Sequence, residues 1–91
     1  MAIHCYITDN LAMALGYSQD NPFEKERKIL GRSIKRLREK KGITQEQLAE
    51  KANINVSYLA KIENGYVNTT VRYLIKLGRG LSVSVKNLFE F

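Results

Sequence analysis

Between Gly42 and Gly65 the stretch GITQEQLAEKANINVSYLAKIENG contains two helix starts and two helix stops within 24 residues, so any fold must accommodate two short helices meeting at a tight turn. Thr44 and Gln47 stand at capping-box spacing: the hydroxyl can accept from the Gln47 amide while the Gln47 side chain reaches back to the Thr44 amide. Glu46 then falls in the first turn, where the positive end of the helix dipole favours an anion. A helix is therefore expected from Gln45 to about Ala52. Asn55 can cap a following helix that carries Val56, Leu59 and Ile62 and closes near Asn64 and Gly65. Two helices crossing steeply over so short a turn need a small residue where their backbones approach and a residue tolerant of positive φ in the turn. Ala49 and Asn53 supply these properties, because Asn is the second choice after Gly for a left-handed conformation. Leu48, Ala52, Ile54, Leu59 and Ile62 would close a core beneath the pair and leave the start of the later helix projecting outward.

The flanks read as helices too. Leu30, Ile34 and Leu37 recur at i, i+4 and i+7, with Phe23 seven residues before Leu30, so one stripe faces inward while Arg32, Lys35, Arg36 and Glu39 face water. Gly42 closes this helix, and Lys40 and Lys41 complement its negative end. Beyond a loop through Tyr66, Val67 and Asn68, the Thr69-Thr70 pair can cap a helix with apolar positions Val71, Leu74, Ile75 and Leu77. Ser84 can cap a last short helix with Leu88, Phe89 and Phe91. Gly78 and Gly80 each weaken a helix by about 0.5 to 1 kcal/mol. They leave three options for the fourth helix: fraying, an early end, or close backbone contact. No strand pattern or repeat interrupts the series, and the expectation is an all-α domain of five short helices over residues 23–91.

Residues 1–22 differ in character. Ile3, Cys5, Tyr6 and Ile7 suggest a short extended stretch, Thr8 to Asn10 offer caps ahead of Leu11 to Leu15, and Ser18 to Pro22 read as a linker. This extension is expected to pack on its own domain, to help form a dimer, or to act as an arm. All 15 cations of the 91-residue chain lie between Lys25 and Lys86. Residues 1–22 carry only Asp9 and Asp20 of the nine anions, so the extension is −2; the other seven anions leave the remainder at +8. Such a charge suits a polyanion, whose neutralisation releases counterions. A solvated helix face would look the same by charge alone.

The ordered segments IKRLREKKGITQEQLAEKA, NVSYLAKIENG and VRYLIKLGRGLSVSVKNLFEF resemble the helix-turn-helix family of phage Cro and C1 repressors and their bacterial relatives, the Xre family. The resemblance runs from about Ile29 to Phe91. It implies a five-helix phage-repressor-like domain whose second and third helices form the helix-turn-helix, with the third lying in the major groove of double-stranded DNA. By this resemblance Asn55, Val56, Ser57 and Lys61 face the bases. Asn55 and Ser57 can exchange hydrogen bonds, Val56 can pack on a thymine methyl, and Lys61 can reach a guanine acceptor or a phosphate. Gln45 is implied as a phosphate clamp at a helix N-terminus, with Tyr58, Asn64 and Thr70 as further phosphate candidates. Each has a plainer alternative: Asn55 as cap only, Val56 as an outward apolar residue, Gln45 as a good first-turn residue, and Tyr58 packed on the first helix. Arg38 and Glu63 match positions that form an ion pair between the first and third helices, a structural role. Ser82 departs from the pattern, since relatives usually carry Gly there.

Reading two half-sites requires a two-fold dimer, and Leu88, Phe89 and Phe91 are the interface candidates, the alternative being that they cap the monomer core. The expected function is a sequence-specific transcriptional regulator: a repressor or restriction-modification controller, or else an antitoxin with a cognate toxin partner. An adaptor that has lost DNA binding is the contrasting reading. No catalytic residue, cofactor or metal site is expected. His4 is the only histidine and Cys5 the only cysteine. Neither has companions for zinc or nucleophilic chemistry. No apolar run approaches the roughly 20 residues needed to span a membrane, and the start lacks the basic residues of a signal peptide, so a cytoplasmic protein is expected.

Overall fold

A computed structural model describes residues 23–89; the readings made for residues 1–22 and for Phe91 lie outside it. The described chain forms four α-helices, α1 (Glu24–Lys40), α2 (Gln45–Ala52), α3 (Val56–Glu63) and α4 (Val71–Leu81). It ends in a 3₁₀ helix over Val85–Phe89. The fifth element is thus a tighter coil than the α-helix expected: the Asn87 amide donates to the Ser84 carbonyl three residues back, the spacing that defines this pitch. No strand occurs among the described residues.

All four helices close in the same way. The amides at 42, 53, 65 and 82 donate back to Glu39, Glu50, Ile62 and Arg79, and the next amides to Arg38, Ala49, Lys61 and Gly78. This paired closure satisfies carbonyls that a helix end would otherwise orphan and places the first residue of each pair in the left-handed region. Those residues are Gly42, Asn53, Gly65 and Ser82. Glycine meets the requirement freely and Asn tolerates it, but Ser82, at φ 60°, carries a side chain in a region that costs an L-residue about 1 to 2 kcal/mol. Ser82→Gly is therefore expected to raise stability by about 1 kcal/mol, read in urea unfolding as a higher midpoint at unchanged slope. A lower midpoint would contradict the strain assigned to Ser82.

The core is drawn from every element: Ile34 of α1, Leu48 of α2, Leu59 of α3, Leu77 and Leu81 of α4, and Leu88 of the 3₁₀ helix are all fully buried. Burial of each such side chain contributes roughly 1.5 to 3 kcal/mol. Leu88 is therefore a monomer core residue, which corrects its expected place in a dimer interface. Phe23, at the mouth of α1, is 59% exposed and does not join the inward stripe. In α4 the buried positions are Leu74, Leu77, Gly78 and Leu81. Val71 and Ile75 lie at the edge of that face and are exposed, contrary to expectation. Gly78 and Gly80 neither fray α4 nor end it. A Cβ on Gly80 would press on Leu48 and Ala52 of α2, and one on Gly78 on the Val83 carbonyl oxygen. The two glycines let α4 lie close to its neighbours.

Candidate nucleic-acid interface

The α2–turn–α3 unit is set by local chemistry. Thr44 Oγ1 accepts from the Gln47 amide at 3.1 Å, and Gln47 Oε1 accepts from the Thr44 amide at 2.8 Å. Asn53 turns the chain at φ 55° and ψ 53°. Asn55 Oδ1 then accepts from the amides of Ser57 (2.8 Å) and Tyr58 (3.3 Å). Ala49 and Ala52 are buried where α2 meets its neighbours.

Both α1 and α2 reach Glu63 at the end of α3. Arg38 grips its carboxylate with two parallel bonds, Nε to Oε2 at 2.8 Å and Nη2 to Oε1 at 3.1 Å. Gln45 Nε2 adds a third bond to Oε1 at 2.9 Å. The remaining arm of Arg38, Nη1, donates to the Ile43 carbonyl at 2.9 Å. Arg38 and Glu63 are both buried, so this is a desolvated and fully partnered pair. The hydrogen bond to Glu63 raises the Arg38 pKa above its ordinary value against the opposing effect of burial. The network holds the end of α1, the α1–α2 loop and the start of α2 against α3. A second tie lies on the same face of α1, where Arg27 Nε donates to the Gly65 carbonyl at 3.0 Å.

Gly31 sits between these ties and escaped the sequence reading. A Cβ there would fall on the carbonyl oxygens of Ile62 and Glu63, so α1 and α3 touch backbone to backbone. The available signal was a glycine three residues before Ile34, on the face that also carries Arg38, inside an otherwise strong helical pattern.

The predicted base-facing residues share the outer surface of α3. Asn55, Val56, Ser57 and Lys61 are all exposed, with Ser57 and Lys61 one turn apart. Since Asn55 Oδ1 is taken by the cap, only its amide group is left to donate outward. The phosphate candidates are less uniform. Gln45 is half-buried, its amide directed to Glu63, so an anion would meet it mainly through the amides at the start of α2. Tyr58 is half-buried against the core. Its ring lies 4.7 Å from that of Tyr73 on α4. Lys76 Nζ stands 5.6 Å from the Tyr73 ring and 3.4 Å from the Asn53 carbonyl, so this cluster joins α4 to the turn. Asn64 is exposed after α3, and Thr70 caps α4 by accepting from the Tyr73 amide at 3.3 Å.

Four helices with a capped, exposed third helix crossing the second over an Asn turn define a helix-turn-helix protein. The helix-turn-helix family model matches residues 34–88, more than half of the chain, and the chain belongs to that family, in its Cro/C1 (Xre) branch. It is 40% identical over 63 residues to the transcriptional regulator SinR of Bacillus subtilis, a match covering 68% of this chain and 57% of SinR. It is 35% identical over 61 residues to the control protein C.MunI of Mycoplasma, covering 66% of this chain and 82% of that protein. Among solved structures, the restriction-modification controller C.AhdI of Aeromonas hydrophila superposes with a TM-score of 0.71 at 29% identity, over 71% of this chain and 98% of the controller. The chain thus spans little more than half of SinR and nearly all of C.AhdI. No helix among the described residues is long and apolar enough to cross a membrane.

Proposed function

We propose that this chain is a sequence-specific regulator of transcription that inserts α3 into the major groove of double-stranded DNA, acting as a homodimer in the cytoplasm. The observation that carries the reading is the outer face of α3. Asn55, Val56, Ser57 and Lys61 are exposed together on a helix whose other side is locked to α1 and α2 through Glu63. A rigid helix presenting short polar side chains and one lysine suits base edges, which must be met within tenths of an ångström. The amides at the start of α2, with Tyr58, Asn64 and Thr70, set the register on the phosphates. Resemblance to control proteins and to the immunity repressor of Bacillus phage phi105 favours a controller or repressor role over that of an antitoxin.

With Leu88 in the core, the dimer surface rests on Phe89 together with Val71 and Ile75, large apolar side chains exposed on the 3₁₀ helix and α4. Lys61→Ala is expected to weaken binding to the preferred duplex by about 1 to 3 kcal/mol and to relax preference at one base pair, measured by fluorescence anisotropy at fixed salt against single-base variants. Unchanged affinity and unchanged preference would remove α3 from the base-reading role.

A further inference from the structure

A groove of about 370 Å³ opens between α1, the α3–α4 loop, α4 and the 3₁₀ helix. Its lining is mostly apolar: Leu30, Ile62, Val67, Leu74 and Phe89, with Thr69 among them. None of the base-facing residues lines it, so DNA reading does not account for this surface. We propose that residues 1–22 of the same chain fold back and occupy the groove, with their apolar side chains against Leu30 and Val67.

Four observations favour this occupant. The extension joins the described structure at Phe23, and Glu26 and Arg27 of the first turn of α1 already line the groove. One turn of helix, about 5.4 Å, therefore separates the attachment point from the groove wall. The extension is rich in apolar residues, with Ile3, Tyr6, Ile7, Leu11, Met13 and Leu15, and has no lysine or arginine. Its −2 charge opposes the +8 of the remainder, so approach to the domain is electrostatically favoured. Finally, the family match begins at Ile34, and C.AhdI aligns over 98% of its length while using 71% of this chain. The family match leaves residues 1–22 outside it, and burying an apolar stretch of this length against the domain is favourable.

The test uses the full chain. Cys5 is its only cysteine, so a nitroxide placed there reports the position of the extension through broadening of amide signals in ¹⁵N-labelled protein. Docking predicts strong broadening at Val67, Asn68, Thr69 and Phe89 and little at Gly42, which lies sixteen residues along from Glu26, about 24 Å by helical rise. Val67→Asp should release the effect at Asn68 and Thr69 while leaving the amide pattern of α2 and α3 intact. Broadening confined to the first turns of α1, and insensitive to Val67→Asp, would overturn the proposal. So would broadening of the groove amides only when spin-labelled and ¹⁵N-labelled chains are mixed, because a second copy would then be the occupant.

Discussion

Glu63→Ala is expected to destabilise the domain by about 3 to 5 kcal/mol, the usual cost of removing one partner from a buried ion pair. The loss exceeds one contact because Arg38 is left charged and buried with two of its donors unmatched, and the Gln45 amide loses its acceptor as well. For a domain of this size each kcal/mol moves Tm by roughly 4 to 8 °C, so the variant should melt at least about 12 °C lower. Replacing both partners by apolar residues, Arg38→Met with Glu63→Leu, removes the stranded charge. The double variant is expected to be more stable than Glu63→Ala alone. Thermal melts of the three proteins decide the matter. A single variant melting within 2 or 3 °C of the parent would show that the pair is solvated and contributes no more than a surface bridge.

Gly31→Ala is the second large effect. On an exposed helix this change stabilises by up to about 1 kcal/mol, since alanine is the better helix former. Here the added methyl meets the carbonyl oxygens of Ile62 and Glu63, which belong to a backbone held by the bonds of Arg38, Gln45 and Arg27 and so cannot turn aside. Overpacking of this kind costs about 1 to 3 kcal/mol and more where neither side yields. A net loss of about 3 kcal/mol is expected, measured by urea unfolding. Gly42→Ala supplies the contrast: its φ is +72° but its Cβ would enter open space. That variant should lose only the left-handed cost of about 1 to 2 kcal/mol. Equal losses at the two positions would mean that the α1–α3 crossing is looser than the structure indicates.

What the sequence made legible and what it hid separate along a physical line. The cap at Thr44 and Gln47, the left-handed turn at Asn53 and the cap at Asn55 are interactions within three or four residues, so residue type and spacing suffice to read them. Apolar periodicity located each α-helix but not the centre of its buried face. Val71 and Ile75 (i, i+4) fit a helical stripe as well as Leu74 and Leu77 (i, i+3) do, and packing against the 3₁₀ helix and α2 decides which pair is covered. Phe23 fits its heptad position yet precedes the first helical turn and stays largely exposed. The Gly31 crossing, the Tyr58–Tyr73 pair and the Gln45–Glu63 bond join residues 15 to 32 positions apart. Their partners are set by tertiary geometry that no local pattern encodes. Gln45 shows this most clearly, because its place at the start of α2 suggested an outward clamp while its side chain turns to the buried carboxylate.

Base reading by α3 is tested by selection of bound duplexes from a randomised pool at near-physiological salt, followed by sequencing of the survivors. Recovery of an inverted repeat with half-sites about 34 Å apart, altered at one symmetric position when Lys61→Ala replaces the parent, is the predicted result. Recovery of no preferred sequence, with only weak and salt-sensitive binding, would contradict the account.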